Sequence, residues 1–556
     1  MNHFMKVLFL GLFFSFFLLA ADFSSEKRHA LYLLHTGEVA KAIDKYQKIC
    51  LEENKADFEI LQQMALMIMR EGSKSSDEKD KILAIYGAGL ALNSLSIEIL
   101  EQGLINPNPE LQMIALFFIG QLPDSKADEL LVQAMSSDYL STRMEACFHL
   151  AQRKHPQAIA YMEALMQRLP PFFRPFFPQL FGILGTSDAV VAMQRFLDDP
   201  DPLVRIETIH TLLKTGRDDF LPVFQKKVHN ANIAEKEAIL FAFGLFKDSS
   251  SLPLLKSLAT STEDTVRLAA YKSLHMLGDP TAKGYLEKSA FAQDLYAVSA
   301  LGDVAGSEDT LYFLMYSSNP QVRINATIAL LKRRDPRCLP ELENFLLSSQ
   351  VALHPTFSIG KAHMAFKVVN PAHLNAKDSI YPPGLYTHIK ETLIREAINL
   401  GENVFLSFAE TLLQAKQNDL VPEIFSLLEN LRTDKAIAFL KKQSQKVGAP
   451  LIRNYASLAL FRLKEEGPYE EVLATWIKEG KDKELIQLRP HLAAQERMEI
   501  SEYTLSAEES SRLLVETFSA FAQRQDEKSI MVVLDAIKTQ KKNRFALSGL
   551  LLRAIE

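Results

Sequence analysis

Cysteine, tryptophan, glycine and proline are all scarce in this sequence of 556 residues, which has three cysteines, one tryptophan, 22 glycines and 24 prolines. So few glycines and prolines exclude collagen-like and low-complexity chains. Cys50, Cys147 and Cys338 lie far apart, and each falls within a helical pattern. We therefore expect buried free thiols without a disulfide framework, and a fold that depends on its apolar core.

The sequence also lacks an excess of basic charge, since 62 basic residues face 68 acidic ones and the net charge is −6. A groove for nucleic acid needs lysine and arginine concentrated on one face. The basic clusters, at 332–334 and 541–544, are short and scattered along the chain. We therefore expect no nucleic-acid partner.

Sequence motifs of common enzymes are absent. The chain contains no G-x-S-x-G, P-loop, G-x-G-x-x-G, H-E-x-x-H or C-x-x-C motif, and no histidine is followed directly by glutamate. Four histidines occur between 354 and 388, but their spacing matches no zinc pattern. We predict no catalytic residue, no metal and no cofactor.

One uninterrupted apolar run is present, at the N-terminus. Residues 7–21 are apolar or small, follow His3 and Lys6, and precede a polar stretch. The run is shorter than the roughly 20 apolar residues of a comfortable membrane span, and it has the form of a secretory leader. We expect 1–21 to be a signal peptide, cleaved after Ala20 or Ala21. The protein would then reside in the periplasm or cell envelope of a Gram-negative-type bacterium, with membrane contact only through an uncleaved leader.

A repeated segment dominates the middle of the chain. Arg143, Arg205 and Arg267 stand in equivalent segments 62 residues apart, which is two units of 31. Other copies carry Gln112 or Glu235 at the same position, so a shared charge-binding role is implausible. We predict instead a structural ladder, formed by Arg143, Arg205, Arg267, Arg323 and Arg453.

Each repeat unit contains two amphipathic stretches and is therefore a helix pair. A small residue three positions after the ladder arginine lets neighbouring backbones approach. Pairs such as Asp201-Pro202 and Asn319-Pro320 suit helix starts, because Asp and Asn cap helices and proline is tolerated at the first helical position. A lone pair cannot bury its apolar faces, so the pairs must stack. The sequence predicts an all-α protein, a right-handed α-α superhelix with its repeat array at 78–347.

The repeat resembles the HEAT repeat, in particular the short type of roughly 30 residues that also occurs in phycobilin lyases. The resemblance covers about half of the chain. It implies that the Asp-Pro and Asn-Pro turns precede the second helix of each pair, and that the ladder arginine bonds polar groups of an adjacent turn. Residues 33–46 resemble one tetratricopeptide motif, in which Gly37 would allow tight helix packing. We expect 22–72 to form an N-terminal helical cap.

Helical spacing fails at 348–388, where prolines, glycines and a strand-like segment at 366–369 predict an irregular insertion. His363 and Phe366 are the candidate partner contacts within it. Helical patterns resume at 389–556, and we predict a second helical segment that continues or caps the stack.

Four phenylalanines and four prolines fall within residues 169–178. The prolines force an irregular turn. An exposed aromatic patch here would be typical of an interaction hot spot. The alternative, in which the rings fill the space beside a distorted helix, remains open. The candidates are Phe172, Phe173, Phe176 and Phe177.

These features together predict a non-catalytic exported scaffold, which binds a protein or peptide on a concave surface lined by the second helices. A role as an assembly or chaperone factor for an outer-membrane or secretion machine is a related hypothesis. A phycobilin-lyase-like or other enzyme, with an unrecognised site in the insertion, is the alternative.

Overall fold

The computed structural model describes residues 24–169, 171–347, 383–415, 417–483, 485 and 509–555. Every regular element within these ranges is a helix, which confirms the all-α prediction. The predicted leader, His363 and Phe366 lie outside the described residues. Short 3-10 segments occur at Ser94–Ser96, Pro171–Phe176, Asp218–Phe220, Ser249–Ser251, Pro336–Cys338, Ile398–Leu400 and Asn418–Leu420.

The chain forms two compact units, and the first unit contains residues from both ends of the chain. It comprises residues up to 150 and from 456 onward, whereas the second comprises 151–455. The sequence predicts 22–72 and 389–556 as separate domains, but the structure packs helices from both ranges into the first unit. The α-helices that contribute to the first unit are Ser25–His35, Val39–Glu53, Phe58–Ser73, Glu78–Ala91, Ile97–Leu104, Pro109–Ile119, Ser125–Ala134, Leu140–Gln152, Pro450–Arg462, Tyr469–Glu479, Glu509–Arg524, Glu527–Thr539 and Arg544–Ala554.

Three glycines let the last helix pack against the N-terminal helices. Arg544–Ala554 lies against both Phe58–Ser73 and Glu78–Ala91. A Cβ atom added at Gly549 would lie 1.7 Å from the carbonyl oxygen of Gly87, and one added at Gly72 would lie 2.6 Å from the ring of Phe545. Larger residues at these positions would hold the backbones apart.

The tetratricopeptide-like segment forms the expected helix hairpin, but its glycine has a different role. Gly37 has a φ of +80° in the turn between the first two helices, and an added Cβ there would meet nothing within 4 Å. It is therefore needed for the turn conformation, which L residues rarely adopt, and not for close packing. Tyr46 on the second helix is fully buried, as the motif requires.

The second unit consists of alternating first and second helices. The first helices are Ala158–Arg168, Ser187–Phe196, Leu221–Lys227, Leu252–Leu258, Thr281–Phe291, Glu308–Leu314, Leu339–Leu347, Glu402–Gln414 and Asp434–Ser444. The second helices are Phe177–Leu184, Pro202–Lys214, Ile233–Leu245, Asp264–Met276, Leu295–Leu301, Pro320–Lys332, Pro383–Ala397 and Val421–Leu431. Helical structure thus resumes at Pro383, before the predicted position 389, because proline fits the first turn of a helix.

The helix starts follow the expected capping chemistry. Asp201 caps Pro202–Lys214 by accepting a hydrogen bond from the backbone N–H of Leu203 at 2.9 Å. Asn319 caps Pro320–Lys332 through the N–H of Gln321 at 3.0 Å. In both cases the proline occupies the first helical position, where the missing N–H costs no helical hydrogen bond.

The ladder position makes one recurring hydrogen bond, to the carbonyl oxygen six residues earlier in the preceding turn. The bonds run from Gln112 to Asn106 at 2.8 Å, Arg143 to Ser137 at 2.8 Å, Arg205 to Asp199 at 2.7 Å, Arg267 to Ser261 at 2.6 Å and Arg323 to Ser317 at 2.9 Å. The side chain thereby ties the turn to its own second helix. Arg453 donates to the side chain of Asn454 at 3.5 Å.

Glycines near the C-terminal ends of second helices bring successive second helices together; in the first unit these helices are Glu78–Ala91, Pro109–Ile119 and Leu140–Gln152. An added Cβ at each would lie between 2.0 and 3.1 Å from a residue of the next second helix. The pairs are Gly89 with Phe118, Gly120 with His149, Gly182 with Thr211, Gly244 with Ser273 and Gly302 with Ala329. At one of these contacts the hydroxyl of Ser273 donates to the carbonyl of Leu240 at 2.6 Å. The predicted small residues, three positions after the ladder position, are buried as well, but the glycines set the closest approach between helices.

Candidate protein-interaction surface

Exposed aromatic side chains lie on two neighbouring first helices of the second unit. Phe291 is the last residue of Thr281–Phe291, Phe313 belongs to Glu308–Leu314, and Tyr316 follows that helix. These three side chains are 52%, 67% and 70% exposed. Together with the partly exposed Tyr312 they form what we call the aromatic surface.

Helical periodicity explains why these rings face outward. Leu311 and Leu314 point into the core, so Phe313 falls on the opposite face. The ring centroids of Phe291 and Phe313 are 5.8 Å apart in an edge-to-face arrangement, and those of Tyr312 and Tyr316 are 5.4 Å apart. Such pairs are favourable beyond the area they bury. The rings therefore hold one another in place at the surface.

Arg337 supports the aromatic surface from the neighbouring turn. Its guanidinium lies 4.7 Å from the centroid of the Tyr312 ring and donates to Asp309 at 2.9 Å and to Asp335 at 2.6 Å. The hydrogen bonds from Arg337 lower the pKa of the Asp335 carboxyl. The Tyr316 hydroxyl donates to that of Tyr312 at 3.0 Å. The surface thus combines tyrosine, phenylalanine and arginine, which are enriched in the central parts of protein interfaces.

The phenylalanine-rich segment divides between the core and the surface. Phe173 and Phe177 are buried, so neither belongs to an exposed patch, and the space-filling alternative holds for both. Phe176 is 49% exposed and stays a candidate contact. The side chain of Phe172 lies outside the described part of the chain. Arg174 in the same segment pairs with Asp199 at 2.6 Å.

The second helices, to which the sequence assigns the partner, are largely buried in this unit. Pro320–Lys332 buries nine of its 13 residues. A charged cluster links two of these helices to the turn after Leu295–Leu301, because the Asp303 carboxylate accepts from Lys272 at 3.1 Å and pairs also with Lys332. Desolvation lowers the pKa of the Lys332 ammonium. These charges pair with one another across neighbouring repeats. The aromatic surface lies on and beside the first helices instead.

Two open clefts lie on either side of Asp199, with volumes of about 440 and 540 Å³. The first is lined by Arg205, Lys227 and Glu235, and the second by Arg174 and Arg195 among others. Their charged groups already pair between neighbouring turns, as Arg205 does with Glu235. They do not assemble a nucleophile, a base and an oxyanion site.

The thiols are free, and two of the three are buried. Burial raises the pKa of the Cys147 and Cys338 thiols to about 12. Across the ranges that the structure describes, no group of three or more His, Cys, Asp or Glu side chains is placed to hold a metal ion. In the same ranges, no helix is long and apolar enough to cross a membrane.

The family comparison agrees with the helix pairs. Residues 221–300 match the family model described as HEAT repeats. Residues 221–300 therefore contain HEAT repeats. The matched range contains helix pairs of the second unit, with Arg267 at the HEAT ladder position. HEAT-repeat solenoids typically serve as scaffolds for protein interactions.

The chain is distantly similar to several solved helical structures. The complex of CpcE and CpcF of phycocyanin lyase from Nostoc sp. PCC7120 is 20% identical, covering 37% of this chain and 87% of that one, with a TM-score of 0.28. UNC-45 from Drosophila melanogaster is 12% identical over 97% of this chain and 84% of that one, with a TM-score of 0.33. Kap121p is 12% identical, covering 94% of this chain and 64% of that one, with a TM-score of 0.34. No curated protein matches. At these TM-scores the likenesses carry no argument about function.

Sequence reasoning missed the aromatic surface of the HEAT units. The available signal was the unbroken run of apolar and aromatic residues at 311–316, which places such residues on more than one face of a short helix. A first helix needs only one apolar face, so Phe313 and Tyr316 are in excess of what packing requires. Phe291 gave no signal of its own, because its proximity to Phe313 depends on how the two neighbouring helix pairs stack.

Proposed function

We propose that this protein is a non-catalytic scaffold that binds a protein or peptide partner through the aromatic surface, and that it acts after export. The observation that carries the proposal is the exposure of Phe291, Phe313 and Tyr316 side by side on neighbouring helices. Contiguous exposed aromatic area is costly in water and is typical of interaction sites. The HEAT fold supports the proposal, since such solenoids present extended binding surfaces.

Affinity capture from the cell-envelope fraction tests the proposal. Full-length protein serves as bait, in parallel with the variant Phe313→Ser/Tyr316→Ser. We expect the wild type to retain a polypeptide partner and the variant to lose most of it, because truncating central aromatic residues typically costs at least about 2 kcal/mol of binding energy. Both side chains are exposed, so the variant should keep the helical circular dichroism and melting temperature of the wild type.

Phe117→Ser is the matched control, since Phe117 is also an exposed aromatic residue, at 50%, but lies in the first unit. It should retain the partner at the wild-type level. Equal loss in both variants would indicate nonspecific adhesion and contradict the assignment. Recovery of a turned-over small molecule, without any macromolecular partner, would overturn the scaffold proposal itself.

A further inference from the structure

A basic cluster forms in the first unit where two turns meet. One turn follows helix Tyr469–Glu479, and the other precedes helix Arg544–Ala554. Neither turn would be notable alone, and the sequence separates them by about 60 residues. The basic residues of the cluster are Lys478, Lys481, Lys483, Lys541, Lys542 and Arg544.

Buried amide side chains fix the two turns against each other. The side-chain N–H of Asn543 donates to the carbonyl of Lys483 at 2.8 Å, and its side-chain oxygen accepts from the backbone N–H of Leu485 at 3.1 Å. Gln540 donates to the carbonyl of Ile477 at 3.3 Å. Asn543 is fully buried and Gln540 is 2% exposed. The proximity of the lysines is therefore built into the backbone and does not depend on flexible side chains.

The cluster carries a local excess of positive charge. The sequence of the two turns contains three acidic residues, Glu479, Asp482 and Glu484, against these six basic ones. All five of the lysines are exposed. The positive charge of the cluster contrasts with the net charge of the whole chain, which is −6. Concentrated charge of one sign attracts and orients a partner of the opposite sign.

Two buried N–H groups beside the cluster have no acceptor among the residues that the structure describes. They are the indole Nε1 of Trp476 and the Nε of Arg544. Trp476 is only 9% exposed, and the Lys483 ammonium lies 5.4 Å from its ring centroid. A buried donor without an acceptor is costly. An oxygen ligand reaching this point would satisfy such donors.

We propose that this cluster binds an acidic segment of a partner polypeptide, whose Asp and Glu carboxylates pair with the lysines and accept from the orphaned N–H groups. Carboxylates form strong charge-assisted hydrogen bonds with ammonium and guanidinium groups. The basic residues are confined to two turns and do not continue as a stripe along the described residues. This arrangement favours a short acidic peptide over a nucleic-acid strand. The site is distinct from the aromatic surface, and its test does not depend on that surface.

The single tryptophan of the chain makes the test direct, because its fluorescence reports from the cluster without interference from other tryptophans. Full-length protein is titrated with a decapeptide of alternating Glu and Gly, and with the matching Gln and Gly peptide. We expect a saturable change in fluorescence with the acidic peptide only. Raising the salt concentration should weaken it, because exposed charge pairs are screened.

Substitutions locate the site. Lys481→Gln/Lys541→Gln should weaken peptide binding about tenfold or more, since two charge-assisted contacts are removed. The control Lys41→Gln/Lys48→Gln removes two lysines of the same unit that are 68% and 69% exposed, and should bind like the wild type. Trp476→Phe, followed by anisotropy of a labelled peptide, should weaken binding because the indole N–H donor is lost.

Several results would overturn the proposal. Absence of a saturable response to the acidic peptide would do so, as would equal affinities of the two double variants. Binding of anionic phospholipid vesicles or of a single-stranded oligonucleotide, without binding of the acidic peptide, would assign the cluster to another class of ligand. Binding of the acidic peptide in the Phe313→Ser/Tyr316→Ser variant is expected to be unchanged, which separates this site from the proposed scaffold surface.

Discussion

Gly549 packs directly onto Gly87: the Cβ atom that an alanine would add at Gly549 would stand 1.7 Å from the Gly87 carbonyl oxygen. These residues are separated by most of the chain, yet their helices share one interface. Because the contact is between backbones, no rotamer change can relieve a clash there.

Gly549→Ala should destabilise the first unit by about 3 kcal/mol or more, since the helices must move apart to admit the methyl group. Differential scanning calorimetry of the full chain would show this as a lowered melting temperature. Gly284→Ala is the matched control, because Gly284 lies within Thr281–Phe291 and an added Cβ meets nothing within 4 Å. Because alanine has a higher helix propensity than glycine, the Gly284→Ala variant should be as stable as the wild type or more stable by up to about 1 kcal/mol. Equal melting temperatures for both variants would contradict the contact.

The ladder position should accept glutamine better than alanine. Arg323 donates to the carbonyl of Ser317, and the native Gln112 makes the equivalent bond to Asn106 at 2.8 Å. Arg323→Ala should cost about 1 to 3 kcal/mol, because a hydrogen bond from a charged donor is lost.

Arg323→Gln should cost less than half of the alanine value, because the amide can retain the turn contact. Denaturant unfolding, followed through the transition of the second unit, would measure the loss of stability in both variants. A glutamine variant as unstable as the alanine variant would show that the arginine acts through its charge, for example on Glu341 at 3.5 Å.

Thiol chemistry should distinguish the three cysteines. Cys50 is partly exposed, whereas Cys147 and Cys338 are buried. In the folded protein an aromatic disulfide reagent should label one thiol rapidly, and in denaturant it should label three. Rapid labelling of three thiols under native conditions would contradict the burial.

The two buried thiols, of Cys147 and Cys338, should make the free energy of unfolding depend on pH in the alkaline range. Their pKa is raised from 9.0 to about 12 in the folded state, so the unfolded chain ionises first. Their contribution to stability is complete below about pH 9 and is lost as the pH rises toward 12. Cys147→Ala/Cys338→Ala should therefore lose less stability between pH 8 and 10 than the wild type does. Identical pH dependences would contradict the raised pKa values.

Export predicts processing of the N-terminus. Expression of the full sequence in a Gram-negative host, followed by N-terminal sequencing of the periplasmic fraction, should yield a chain beginning at Ala21 or Asp22. Replacing Leu10 with Arg should stop export, because a charge interrupts the apolar region of a leader. Cytoplasmic accumulation of the unaltered chain would exclude the exported scaffold.

Much of the fold was predictable because the repeat signal is local. Arg205 and Arg267 mark repeat units in which each helix start and its cap depend on residues within one helical turn. The all-α prediction, which rests on these units, is confirmed. The tetratricopeptide-like pattern suggests a packing role for Gly37, whereas its positive φ makes it a turn residue. The sequence also offers Phe173 and Phe177 as candidate contacts, but packing at the irregular turn buries both.

The amino-acid sequence by itself determined the helix pairs, their capping and the HEAT-type stacking, since these follow from periodicity and from residues close together in the chain. Only the tertiary structure decided which distant segments meet. It placed Gly549 on Gly87, Phe291 beside Phe313, and the turn of Lys483 against that of Lys541, joining basic residues that look scattered in the sequence. The physical reason is that such contacts depend on how whole helices pack. A short stretch of sequence does not indicate which other helix will pack against a given helix face.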